Sequence, residues 1–141
     1  MSKLGLSVLL TIVAAAALAT TAPGAIRIAK IHYNAPGADN SNLNGEWITV
    51  TNTGNAGRSL TGWRLRDKAG NVYRFGSFTL GAHLTAKIHT GSGPTYLLHR
   101  YWGKTKQVWN NGKDTATLRN ANGVVVDRCS YNAPAKSEKI C

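Results

Sequence analysis

Residues Leu60–Phe75 read LTGWRLRDKAGNVYRF, and their pattern decides the fold class. Trp63 and Leu65 alternate with Arg64 and Arg66, the period of two expected of a strand with one buried face. Lys68-Ala69-Gly70-Asn71 is a tight turn, and Val72 to Phe75 returns from it, so the pair reads as a hairpin. The same alternation recurs outward in both directions. Downstream, Leu84, Ala86 and Ile88 alternate with Thr85, Lys87 and His89 until Gly91-Ser92-Gly93-Pro94 ends the run. Lys106 to Asn110 reads as a short strand carrying Val108 and Trp109. Ala116 and Leu118 alternate with Thr115, Thr117 and Arg119, and Asn120 to Gly123 turns into Val124, Val125 and Val126. Upstream, Glu46 to Asn52 (EWITVTN) is a strand. Ile26 to Tyr33 (IRIAKIHY) is another whose phase changes partway: Ile26 and Ile28 share one face, Ile31 and Tyr33 the other. A bulge near Ala29-Lys30 would reconcile them.

About eight short strands with turn residues between them, and no helical periodicity, predict an all-β fold, an antiparallel β-sandwich. Parallel sheets ordinarily need crossover helices. Fifteen glycines and many asparagines mark the turns, the longest being Asn34 to Asn44 (NAPGADNSNLN). Four Trp, five Tyr and two Phe supply the large core pieces.

The N-terminus has the form of a secretory signal: Lys3, then the apolar run Leu4 to Leu18, then small residues. Residues 1–19 are the expected leader, with cleavage after Ala19 or, alternatively, Ala22. Residues 20–25 are a linker, 26–129 the sandwich, and 130–141 a polar tail. The expected location is secreted or cell-surface, with no stable membrane insertion after cleavage. The formal net charge of +11 implies attraction to anionic surfaces, or simply solubility. Two cysteines, Cys129 and Cys141, predict a disulfide tying the C-terminal residue to the last strand. They lack the C-x₂-C spacing or clustered His that zinc requires.

No catalytic constellation stands out. The carboxylates Asp39, Glu46, Asp67, Asp114, Asp127 and Glu138 lie mostly in turns, where they cap backbone N–H groups; Asp67 and Asp114 are the clearest cases. His32, His83, His89 and His99 fall in no hydrolase signature, and no G-x-S-x-G, H-E-x-x-H or P-loop is present. Copper capture by two of the histidines and calcium capture by Asp39 to Glu46 are readings that the sequence leaves without support. No catalytic residue, metal site or cofactor is assigned. The basic residues are more informative. Arg64, Arg66, Lys87 and Arg119 fall on outward strand positions, with Arg74 as a further member, and form a candidate anion-binding stripe if their strands share a sheet. Arg100, Tyr101, Trp102, Lys104 and Lys106, within the loop Tyr96 to Lys106, mix rings and cations as a stacking contact would. The alternative is that Trp102 is core and the cations solvate the loop.

The ordered blocks EWITVTN (46–52), LTGWRLRD (60–67), YRF (73–75), HTG (89–91), YWG (101–103), VWNN (108–111), GKDTATL (112–118) and GVVVD (123–127) resemble the lamin-tail domain family, in particular its exported, single-domain bacterial branch. The resemblance implies an immunoglobulin-like β-sandwich and a loose association with binding, surface and nucleic-acid contexts. It implies no catalytic residues. Members of that branch often end in a cysteine pair placed like Cys129 and Cys141. Trp63 is then expected between the sheets, with Gly62, Gly70, Gly112 and Gly123 at positive φ. The expected function is an exported, non-catalytic binding or structural module. A binder of anionic polymers or nucleic acid is the narrower alternative, and a small secreted hydrolase the outlying one.

Overall fold

The computed structural model describes residues 9–14 and 25–141. Most of the expected leader (1–19) and linker (20–25), including both expected cleavage points, lies outside the described residues. Among the described residues no helix is long and apolar enough to cross a membrane.

Among the described residues there are eleven short strands: β1 (Ile26–His32), β2 (Trp47–Asn52), β3 (Arg58–Ser59), β4 (Arg64–Arg66), β5 (Val72–Arg74), β6 (Thr79–Leu80), β7 (Thr85–His89), β8 (His99–Tyr101), β9 (Lys113–Arg119), β10 (Val125–Asn132) and β11 (Glu138–Ile140), with one 3₁₀ turn at Leu43–Gly45. They form a five-stranded sheet in the order β11-β1-β2-β7-β8, a four-stranded sheet β10-β9-β4-β5, and a small pair β3-β6. One core draws on both large sheets, with Ile31, Ile48, Val50 and Ile88 from one and Leu65, Ala116 and Leu118 from the other, all fully buried. The architecture is the expected all-β, immunoglobulin-like sandwich.

The local expectations met physical tests of their own. The register of β1 against β2 shifts between Ile28 and Lys30. That bulge lets Ile26, Ile28, Ile31 and Tyr33 all be buried despite their change of phase. Trp63 is buried, and the hairpin of β4 and β5 pairs Leu65 with Tyr73. Gly62, Gly70 and Gly123 have φ of +79°, +101° and +81°. Gly112 is not among the positive-φ glycines; its turn closes with ordinary backbone angles.

Three departures matter. β8 runs parallel to β7, joined to it by nine residues, 90–98, without a helix; a crossover of about a dozen residues is usual. Lys106 to Asn110 is not a strand. Its N–H groups go to side-chain oxygens instead of a neighbouring strand: Gln107 N donates to Asn40 Oδ1 at 2.8 Å, Val108 N and Trp109 N to Glu46 Oε1 at 2.7 and 3.0 Å, and Asn110 N to Asp114 Oδ2 at 3.2 Å. Finally, the segment after Cys129 is more than a polar tail. β10 continues to Asn132, and β11 joins the five-stranded sheet beside β1. Smaller differences are the exposure of Leu84, which precedes β7, and of Val124 and Val126, where β10 begins with a register shift.

Cys129 and Cys141 are disulfide-bonded, with Cα atoms 5.9 Å apart and a sequence separation of 12. The bond secures the free end of β11 to β10. Loop-closure entropy gives it about 3 kcal/mol of stability. Chemical denaturation with and without reductant is expected to show that loss, with the intact mass rising by two hydrogens on reduction. An unchanged midpoint would mean that β11 holds without the bond.

Candidate anion-binding face

The outward side of the four-stranded sheet is built from alternate residues of β4, β5, β9 and β10, because their other residues enter the core. Backbone register then decides which side chains meet. Arg64 on β4 stands opposite Arg74 on β5 and Arg119 on β9. Three arginines thus form one row across three adjacent strands. The next row on the same face pairs Arg66 with Thr117, and Thr117 with Arg128 on β10. Like charges directly opposite one another in a sheet repel, so the row carries an electrostatic cost in the free protein.

Little compensates that cost from within. Arg119 Nη1 donates to Gly123 O at 2.9 Å. Arg64 Nε is shut off from solvent and has no hydrogen-bond partner. The carboxylates are committed elsewhere. Asp67 Oδ1 accepts from Gly70 N and Asn71 N at 2.8 and 2.7 Å, and its Oδ2 from Asn71 Nδ2 at 2.8 Å. Asp114 accepts from Lys68 N, Asn110 N and Thr115 N. Both aspartates are buried, in the capping roles that the sequence suggested. Asp127 Oδ2 accepts from Ile28 N at the bulge of β1. Among the described residues one ion pair forms, Lys30 Nζ to Glu138 Oε2 at 3.5 Å, on the other sheet. Beside the arginine rows, Arg66, Asp67, Lys68, Thr115, Thr117 and Arg119 line a recess of about 310 Å³.

Lys87 does not join this face. It sits on β7 in the five-stranded sheet, its ammonium 4.2 Å from the Trp47 ring. The expectation that it shares a stripe with Arg64, Arg66 and Arg119 fails because the chain switches sheets between β4 and β7.

The loop residues also part company. Tyr101 turns to the outer side of the five-stranded sheet, where it stacks on His89 with centroids 4.8 Å apart. Trp102, the next residue, packs instead against Trp109 and Tyr73 at the edge of the core. Arg100 lies 4.0 Å over Phe78 and donates to Leu97 O and His99 O. Lys104 Nζ donates to Asn71 Oδ1 at 3.1 Å, and Lys106 is exposed. These five do not form one contact surface; the core reading of Trp102 is the one that the packing bears out.

Two features escaped the sequence reading. Arg128 joins the arginine face because the register shift at the start of β10 resets its phase. A row of rings also crosses the five-stranded sheet, since His32 pairs with Trp47, Trp47 with His89, and His89 with Tyr101. His32 and Trp47 stack with centroids 5.2 Å apart. Desolvation lowers the pKa of His89 below the usual histidine value, and the nearby His99 and Lys87 push it the same way, against the opposing effect of its bond to Asn44 O.

The fold and this site define a single immunoglobulin-like β-sandwich module with a cationic sheet face. The lamin tail domain family model matches residues 19–133, and the chain belongs to that family. Its members are non-enzymatic immunoglobulin-like domains. No curated protein matches the chain. Among the described residues, no group of three or more His, Cys, Asp or Glu gathers as a metal centre would.

Proposed function

We propose that the protein is an exported, non-catalytic module that binds anionic polymers through the outer face of its four-stranded sheet. The observation that carries this reading is the row Arg74-Arg64-Arg119, backed by Arg66 and Arg128, on strand positions that hold no carboxylate. Phosphate or sulfate groups would neutralise charges that now repel across β5, β4 and β9. Adjacent strands lie about 4.8 Å apart, so the row offers closely spaced cations along a line, which suits a repeating polyanion better than a single small anion. The net charge of +11 supports attraction at long range. The disulfide fits an oxidising compartment outside the cytosol.

The test is fluorescence anisotropy with a labelled DNA duplex over a salt series. Neutralising Z phosphates makes log K fall against log salt with a slope of about −0.9Z. Five arginines on the face predict a slope of about −4.5. Absence of binding at low salt, or binding that salt does not weaken, would end the proposal.

A further inference from the structure

We infer that His89 and His99 form a surface bis-imidazole site for a tetragonal divalent metal, copper(II) in particular. The two residues are ten apart in sequence and meet only because β8 lies parallel beside β7. His89 Nε2 and His99 Nδ1 are 2.9 Å apart. Their ring centroids are 5.2 Å apart with planes only 16° from parallel. Rings whose nitrogens are this much closer than their centroids meet edge to edge, with the two nitrogen axes pointing at each other across a hydrogen bond, so His99 must turn for both lone pairs to aim at one ion.

The tautomers follow from the neighbours. His89 Nδ1 lies 2.9 Å from Asn44 O, and a carbonyl only accepts, so Nδ1 carries the proton. Neutral His89 then has a lone pair on Nε2, and the proton between the rings belongs to His99 Nδ1. A histidine whose far N–H is held by a backbone carbonyl has the orientation found in metal sites, where such a bond fixes the ring and raises its basicity. His99 is exposed and free to turn. When a metal replaces the bridging proton, that proton moves to His99 Nε2 and both rings stay neutral.

The spacing selects the metal. Imidazole nitrogens bind divalent metals at about 2.0–2.1 Å. If His99 turns toward the ion with the nitrogen spacing kept near 2.9 Å, the two nitrogens subtend about 90° at the ion. That is the cis angle of a tetragonal site and is too narrow for tetrahedral zinc. Tetragonal nitrogen coordination suits copper(II) or nickel(II), and copper(II) ranks first in the affinity order. Water would complete the coordination on the open side. The Lys87 ammonium nearby opposes a cation, so affinity is expected below that of a closed four-ligand site.

The experiment titrates the disulfide-bonded protein with copper(II) and with zinc(II) alone, by calorimetry, and compares His89→Gln, His99→Gln and His83→Gln. His83 contacts Asn55, away from the pair, and serves as the control. One copper(II) per chain is expected, with affinity falling about tenfold or more in His89→Gln and in His99→Gln but not in His83→Gln. Electron paramagnetic resonance should show coupling to two imidazole nitrogens, a signature that a folding defect would not imitate. Unchanged copper affinity in His99→Gln, whose side chain is exposed, would overturn the assignment. So would zinc binding as tightly as copper. The site is independent of the arginine face, so failure of one leaves the other standing.

Discussion

Replacing Arg64, Arg74 and Arg119 together by glutamate is expected to lower affinity for a DNA duplex by about three decades at roughly 50 mM salt and to flatten the salt dependence by nearly three units of slope. The size follows from the geometry. The three side chains occupy facing positions on β5, β4 and β9, so a polyanion crossing the strands meets all of them at once. Three facing glutamates repel one another as the three arginines do, so the variant should fold about as well as the parent. Weakened binding in a protein of equal stability separates the loss of an interface from the loss of a fold. Lys30→Glu with Lys87→Glu, on the other sheet, changes the net charge with only modest loss expected. Equal loss in both variants would point to net charge alone, without a defined face.

The second large effect is expected at Glu46. Its side chain is buried, and Oε1 accepts from Thr90 Oγ1 at 2.7 Å as well as from Val108 N and Trp109 N. One carboxylate oxygen therefore holds β7's exit and the irregular segment that inserts the fully buried Trp109. Glu46→Ala strands these donors and opens a cavity, at a cost of about 4 kcal/mol. Glu46→Gln keeps an oxygen for the same donors and should cost far less. The pair also differs in pH dependence. Burial raises the folded-state pKa of Glu46, against the opposing effect of its hydrogen bonds. A carboxyl whose pKa is raised by folding stabilises the fold below its unfolded pKa, and that contribution is lost as pH rises through the folded value. Urea denaturation across the acid-to-neutral range should show the parent losing stability relative to Glu46→Gln as pH increases. A parallel pair of curves would contradict a raised pKa.

The fold was legible wherever a strand alternates around a single buried face. The Trp63-Leu65 and Ala116-Leu118 runs identify β4 and β9, and the broken phase of Ile26 to Tyr33 reveals its bulge. What escaped depends on partners distant in sequence. Val108 and Trp109 look like strand residues, but their amides answer to Glu46, some sixty positions away. β8 hides in a segment that reads as loop because it pairs in parallel, and no turn chemistry announces that pairing. The arginine face was half legible. Alternation told which residues point outward, but not which sheet they point from, so Lys87 was grouped with residues on the opposite side and Arg128 was missed. The aromatic and basic loop misled because neighbouring residues on a strand face opposite ways: Tyr101 outward, Trp102 to the core.

The most direct test of the polyanion-binding face is a backbone amide NMR titration with an unlabelled DNA duplex at low salt. Shifts concentrated at Arg64, Arg66, Arg74, Arg119 and Arg128, with Lys30, Thr49 and Lys87 unmoved, are the predicted result. Shifts centred on the five-stranded sheet, or none at all, would contradict it.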